Sequence, residues 1–360
     1  MGTDNGEIPR PRVLIATNDP TLTPSLARSY SDSGFDVVLG MENIYLSQMK
    51  FDLLHLHWPE ELLHWRQPDE RSLAKLSEAL TKWRKTTPIL ATAHNLRPHS
   101  DKEHPLDKRL YEIVYRNATV IGHFSNYSRD KTSERFPDIP ADKHLVHCPH
   151  SLDNLAPFVS DRVRARAKLG IPDDTFVLLG FGAFRHSSEL NLLMRADRSL
   201  GSRKRLFVFA GRLPTVGGLR RRGIALARFE LWKFLYPVKD LRGFIPDEEI
   251  GDLLVASDVI VIPRSGVHLN SGLLPLAMMF GTPVVAPGYG AYEEYLGGTD
   301  NELYRPDDAA SLAEAVRRIS QKDRAVIAAA NKRLAAQWGW DNILSRCLPE
   351  LRKRQGETVG

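Results

Sequence analysis

Apolar residues in this chain recur in short runs separated by amphipathic stretches and turns. RVLIAT (12–17), FDVVL (35–39), DLLHLH (52–57), PILATA (88–93), TVIGHF (119–124) and HLVHC (144–148) are rich in Val, Ile and Leu and apolar at successive positions. That pattern predicts strands buried on both faces, as in a parallel sheet. Stretches with helical spacing, such as DERSLAKLSEALTKWRK (69–85), lie between them. The resulting βαβα alternation predicts an α/β layer structure with helices covering the sheet. The segment 154–172, with Pro157, Pro172 and the basic run DRVRARAKLGIPDD, interrupts the rhythm and predicts a linker. The theme then returns. TFVLLGFG (175–182), RLFVFAG (205–211), LRGFI (241–245), DVIVIP (258–263) and PVVAP (283–287) read as strands, and 311–320 and 322–337 as helices.

A length of 360 residues allows about two domains. The linker divides them into an N-terminal Rossmann-like domain over 1–155 and a second over 156–338. Two doubly wound halves of this kind are expected to bind a ligand at the carboxyl ends of their strands, between the halves. With 42% hydrophobic and 26% charged residues, the composition is that of a globular protein and excludes disorder. Cys148 and Cys347 are too few for a disulfide framework, which points to a reducing cytoplasm. No C-x-x-C or similar metal-ligand spacing occurs. MGTDNGEIPRPR has no apolar core, so no secretory signal is expected there. The apolar run FVLLGFGAF (176–184) is far short of the ~20 residues a membrane span needs. A formal charge of +5 is mild. It argues against nucleic acid as a partner and suits anionic sugar nucleotides or an anionic lipid surface.

Several stretches, in order, resemble the retaining glycosyltransferases grouped as family 4. They are FDLLHLHWPE (51–60), ILATAHNLRPHS (89–100), ATVIGHFSNYSRDKTSERFP (118–137) and HLVHCPHSLDN (144–154) in the first half. In the second half they are GFGAFRHSSELNLLMRA (180–196), LRGFIPDEEIGDLLVASDVIVIPRS (241–265), NSGLLPLAMMFGTPVVAPGYGAYEE (270–294) and WDNI (340–343). The resemblance implies a GT-B fold, two Rossmann-like doubly wound parallel-sheet domains facing a cleft, with a C-terminal helix at 339–360 packing back toward the N-terminal domain. It also implies transfer of a hexose or uronic acid from a nucleotide diphosphate sugar, UDP- or GDP-linked, to a glycan or lipid-linked acceptor in polysaccharide biosynthesis. No cofactor and no metal are expected, and retention of configuration follows by analogy.

Such a transfer must stabilise a departing diphosphate, and without a metal the protein supplies positive charge and backbone N–H groups. Ser271, Gly272 and Leu273, preceded by Asn270, match the family's phosphate-cradling loop, although an ordinary capped helix start looks the same. Arg185 falls on the arginine of the family's "RxYK" pattern, where a guanidinium can grip phosphate bidentately. Gly182, Ser188, Gly211, Arg212, Gly243, Phe244 and Arg264 complete the expected donor site, with base recognition near Gly243 and Phe244. His94 and His268 are the expected catalytic residues, His94 to position a hydroxyl or the donor phosphate. Asn18, His57, Trp58 and Asn95 are expected to meet the acceptor. Trp58 is equally suited to stacking on a sugar and to filling a wall.

The chain departs from the family at several of these places. The two glutamates spaced seven residues apart fall on His268 and Leu276. The lysine of "RxYKG" falls on Ser188 and its glycine on Glu189, and TNDPTLTPS (17–25) stands for the first glycine-rich loop. Leucine cannot hydrogen-bond a ribose diol, and a lost phosphate contact costs on the order of 1.5–3 kcal/mol unless His186 or Arg264 replaces it. A variant subgroup lacking both carboxylates fits, and so does a scaffold or sugar-binding protein that has lost catalysis. Nothing favours an epimerase. A dehydrogenase is disfavoured because GFGAFR lacks the third glycine of the dinucleotide fingerprint. Finally, TVGGLRRRGIALARFELWKFLY (215–236) is basic and aromatic. It suits either a crossover helix with a solvated basic end or a peripheral contact with an anionic membrane at the inner, cytoplasmic face.

Overall fold

The structure, a computed structural model, describes residues 9–46, 48–98, 103–150, 155, 161–201, 204–214, 219–264, 266 and 268–358. The chain divides into two compact units. One comprises Met1–Pro149 with Trp340–Gly360, and the other His150–Gly339.

The first unit holds strands β1 (Arg12–Ala16), β2 (Asp36–Leu39), β3 (Leu53–Leu56), β4 (Ile89–Thr92), β5 (Val120–His123) and β6 (His144–Val146). Its helices are α1 (Thr23–Asp32), α2 (Asn43–Leu46), α3 (Glu70–Trp83), α4 (Asp107–Asn117) and α5 (Asn126–Arg135). The strands form one parallel sheet in the order β2-β1-β3-β4-β5-β6. The central strands β3, β4 and β5 are buried at every position, whereas the edge strand β2 is not, because only the interior strands are covered on both faces. The start of α3 is locally encoded. Asp69 accepts from the Ser72 N–H at 2.7 Å while Ser72 Oγ accepts from the Asp69 N–H at 3.0 Å, a reciprocal cap.

The second unit holds β7 (Phe176–Ala183), β8 (Arg205–Arg212), β9 (Val238–Arg242), β10 (Val259–Val261), β11 (Val284–Pro287) and β12 (Glu302–Tyr304). Its helices are α6 (Arg162–Lys168), α7 (Ser187–Arg198), α8 (Leu219–Leu235), α9 (Asp247–Ala256), α10 (Leu273–Met279), α11 (Gly290–Leu296), α12 (Ala309–Ile319) and α13 (Arg324–Ala335). Its sheet is also parallel, in the order β12-β11-β10-β7-β8-β9. The last helix, α14 (Trp340–Thr358), returns to the first unit. Its Trp340, Ile343, Leu344, Cys347 and Leu351 join Val13, Ile15, Leu26 and Tyr30 in a single core on one face of the first sheet.

Three expectations need correcting. The strand expected at 241–245 is β9, at Val238–Arg242. Gly243 takes φ +128° and ends it, leaving Phe244 exposed. The supposed linker 154–172 contains α6, started by the Asp161 side chain accepting from the Arg164 N–H. Residues 151–154 and 156–160 of that segment lie outside the described residues. Strand β12 was not expected, since it is a short edge strand with only Tyr304 buried.

Candidate functional site

In the second unit, three neighbouring strands run out into glycine. Gly182, Gly211 and Gly243 follow the bodies of β7, β8 and β9 with φ of +97°, +136° and +128°, a region that side chains rarely adopt. Gly182 pairs with Gly211 in register, and the Gly243 N–H donates to the Gly211 carbonyl at 2.9 Å. A Cβ on Gly211 would stand 2.1 Å from the Gly182 carbonyl oxygen, so only glycine lets these strands meet. The outcome is a rim of bare backbone at the carboxyl ends of a doubly wound sheet, where such folds bind ligands. Leu273 packs against Gly182.

Two arginines stand beside this rim. Arg185 follows β7 and is half-buried; Arg264 follows β10, with its side chain 14% exposed. They are tied together by Glu189 of α7, which is fully buried. Glu189 Oε2 accepts the Arg185 backbone N–H at 2.8 Å. Arg264 Nη1 donates to the two Glu189 oxygens at 3.4 and 3.3 Å and to the Ala183 carbonyl at 3.0 Å. Burial, followed by the charge of Arg264, holds the Arg185 pKa below the usual arginine range. Tyr292 of α11 is buried against the same charges, and burial raises its pKa. Its hydroxyl and Ser271 Oγ are close enough to perturb each other, yet among the described residues neither meets a partner in hydrogen-bonding geometry. The arrangement can hold an anion, since two guanidiniums with one carboxylate behind them leave a net positive site lined by neutral O–H donors.

The other residues expected in the donor site fall into place unevenly. Asn270, Ser271 and His268 are half-buried in the loop between β10 and α10, and Gly272 caps α10. Ser188 lies exposed in the first turn of α7, and Arg212 is exposed at the end of β8. Phe244 is 78% exposed beside Gly243. Leu276, where the resemblance implies the second glutamate, is packed in the core at 4% exposure.

In the first unit, histidines and aromatics gather where β3, β4 and β5 end. His55 lies 3.0 Å from the Tyr30 hydroxyl and 2.8 Å from Thr92 Oγ1. Burial, followed by the charges of His94 and His147, drives its pKa well below the ordinary histidine value, so it stays neutral. His57 Nδ1 is 3.0 Å from His94 Nε2. Trp58, whose ring suits a sugar platform, stacks instead on His94 at 4.2 Å and 22°. Trp340 meets His57 in an edge-to-face contact. Asn18 donates its backbone N–H to Glu61, and Thr17 Oγ1 donates to the other carboxylate oxygen, both at 2.7 Å. Asn95 lies beside Glu60, whose Oε2 accepts the Tyr111 hydroxyl at 2.8 Å. Burial raises the pKa of both Glu60 and Glu61.

Glu60, Glu61, Glu189 and Tyr292 were not among the expected site residues. The adjacent glutamates directly after the β3 strand in HWPEE could have flagged the first two. Glu189 and Tyr292 carry no local signal, because the arginine side chain that Glu189 holds lies 75 residues away and the charges around Tyr292 come from other elements.

The family described as "Glycosyl transferases group 1" matches residues 175–322, which contain Arg185, Glu189, Arg264, Ser271 and Tyr292. A GDP-mannose:glycolipid 4-beta-D-mannosyltransferase from Xanthomonas campestris pv. campestris is 41% identical over 292 residues, 78% of this chain and 74% of that protein. Its counterpart without a strain designation is 26% identical over the same length. A D-inositol 3-phosphate glycosyltransferase from Geodermatophilus obscurus is 26% identical over 308 residues, and the match spans 82% of this chain but only 64% of that enzyme. Among solved structures, Anabaena Alr3699/HepE in complex with UDP and glucose shares the fold. The TM-score is 0.68 at 16% identity, covering 98% of this chain and 99% of that one.

Proposed function

The chain belongs to the glycosyl transferases of group 1, and from that premise we propose that it moves a hexose or uronic acid from a nucleoside diphosphate sugar to a glycan or lipid-linked glycan. The reaction is a step of polysaccharide assembly at the cytoplasmic face of a membrane and runs without a metal. The observation that carries the reading is the pair Arg185 and Arg264 beside the glycine rim. Preorganised positive charge at that spot favours the departing diphosphate more than the intact donor, which is how such a site accelerates transfer. The Xanthomonas relative is named for GDP-mannose and a glycolipid, and the Anabaena protein was solved with UDP and glucose. Both names support a UDP- or GDP-linked donor. His94, braced by His57 and Trp58, positions the acceptor hydroxyl or the donor phosphate, with Asn18 and Asn95 on the acceptor side. His268 takes the place of the first family carboxylate.

Calorimetry with UDP and GDP on the full chain tests the donor site; absence of binding to both at millimolar concentration defeats the reading. Arg185→Ala is expected to weaken UDP or GDP by more than tenfold and the matching nucleoside hardly at all, since the guanidinium serves phosphate. Equal losses on both remove its role. The course of the reaction is expected to be retaining. An NMR assignment of the product's anomeric configuration decides this, and inversion relative to the donor refutes it. A second reading, a scaffold that binds donors without transferring them, draws on His268 and Leu276 standing where the family has glutamates. Nucleotide binding without sugar release or transfer to any glycan acceptor would favour it.

Helix α8 gives the membrane proposal its form. Ala225, Phe229 and Trp232 face the core, while Ile224, Leu231, Phe234 and Leu235 are exposed together with Arg220, Arg222 and Arg228. Residues 215–218 and the side chains of Leu219 and Arg221 lie outside the described residues. An apolar stripe flanked by arginine suits an anionic bilayer surface. Co-flotation with phosphatidylglycerol vesicles at low salt, lost in Leu231→Glu with Phe234→Glu, is expected; failure to float sinks this part alone.

A further inference from the structure

The lysine that the family resemblance implies at position 188 is a serine here, exposed on α7, so a second cation at the phosphates has to come from elsewhere. Resting on the donor reading above, we propose that Arg264 is that cation, that Glu189 is the positioning residue that aims it, and that Tyr292 and Ser271 complete the diphosphate site as neutral donors.

The geometry carries each part. Every hydrogen bond that Arg264 makes among the described residues uses Nη1, shared between Glu189 and the Ala183 carbonyl. One end of the guanidinium is thereby clamped, and Nε and Nη2 remain to meet an anion as a fork. Glu189 is fully buried and its Oε2 also accepts the Arg185 N–H. The carboxylate thus holds both arginines from behind. It offsets the repulsion between two neighbouring guanidiniums, and a family glycine at this position could do neither. Tyr292 is 3% exposed, and its hydroxyl and Ser271 Oγ, near enough to perturb each other, make no well-formed hydrogen bond among the described residues. Buried O–H groups are normally paired, so two of them beside two arginines mark a place where acceptor oxygens belong. The ligand class is a diphosphate ester or pyrophosphate, with enough oxygens to meet two guanidiniums and two hydroxyls.

The test titrates the full chain with UDP, GDP and inorganic pyrophosphate, using the wild type, Arg264→Ala, Glu189→Gln and Tyr292→Phe. Arg264→Ala is expected to lose about 10- to 100-fold in pyrophosphate affinity, the range for one charge-assisted bond, and to show a weaker dependence of binding on salt. Glu189→Gln discriminates sharply. Removing a negative charge by Coulomb's law alone would tighten anion binding, whereas loss of the clamp weakens it, and the expected result is weaker binding. Tyr292→Phe keeps the ring and is expected to lose affinity for all three probes with an unchanged melting temperature. Arg264→Ala binding pyrophosphate as tightly as wild type, or Glu189→Gln binding it as tightly or more so, overturns the inference. Should Glu189→Gln not fold, Arg264→Ala and Tyr292→Phe decide it between them. Should the wild type bind none of the three probes, the donor reading itself has failed; wild-type binding that survives Arg264→Ala fails this inference only.

Discussion

Gly211 and Gly243 form a matched pair of positions in which strain and contact can be separated. Both take φ values that L side chains rarely adopt, +136° and +128°. A Cβ at Gly243 meets nothing within 4 Å, whereas one at Gly211 would sit 2.1 Å from the Gly182 oxygen, 2.8 Å from its carbonyl carbon and 3.0 Å from its nitrogen. Backbone strain alone costs about 1–3 kcal/mol. Gly243→Ala should lose that much, about 2–12 °C for a domain of this size. Gly211→Ala carries the same strain, and an overlap of more than an ångström with backbone that cannot swing aside. Relief requires the ends of β7 and β8 to part, which also strains the 2.9 Å bond from the Gly243 N–H to the Gly211 carbonyl. The added loss is at least another ~1–2 kcal/mol, and the opened rim should weaken UDP or GDP at least tenfold. Differential scanning calorimetry and titration calorimetry on the two variants give both numbers. Equal melting shifts for the two alanines would show that contact between β7 and β8 contributes nothing, and the rim argument would fall.

Two further outcomes follow from the first unit. Glu61→Ala leaves the Asn18 N–H and the Thr17 hydroxyl without their 2.7 Å acceptor and should cost about 2–4 kcal/mol in urea unfolding, with Glu61→Gln losing less than half of that because its amide can serve both groups. Equal losses for the two variants would mean that hydrogen bonding is not what Glu61 contributes. Burial drives the pKa values of His55 and His123 well below the ordinary range and also lowers that of His144. Because unfolded histidine titrates near ~6.5, the unfolded chain binds more protons below that pH. Stability is therefore full above about pH 6.5 and falls as the pH drops toward the folded values, by ~1.4 kcal/mol for each tenfold loss of proton affinity on folding. The raised pKa values of Glu60 and Glu61 act in the opposite sense, but only from their folded values down to about 4.3. Urea unfolding at pH 7.5 and 5.5 should show the loss, and His123→Asn should shrink it; an unchanged free energy contradicts neutral buried histidines.

Much of the fold was legible along the chain because parallel strands advertise themselves. Runs such as RVLIAT and DVIVIP are apolar at successive positions, and that is a local property of a strand covered on both faces. Edge strands have one open side and a weaker signal: FDVVL and HLVHC still marked β2 and β6, but β9 was expected three residues too late and β12 not at all. Helix starts are encoded as locally, though the caps Asp308 and Asp323 put two of them two residues from the expected 311 and 322.

The site divides along the same line. Two α/β units and their ordered resemblance to one transferase family can be read along the chain, and Arg185, the glycine ends and the loop at 270–273 stand out there as candidates. The same resemblance implies the loss of two carboxylates and a lysine, at His268, Leu276 and Ser188. What stands there instead depends on long-range packing. Arg264 meets Glu189 across 75 residues of chain, and Glu61 meets Asn18 across 43. No periodicity or spacing encodes such a meeting. It exists because adjacent parallel strands deliver their following loops to the same end of the sheet, so side chains far apart in sequence become neighbours in a buried, charge-sensitive place.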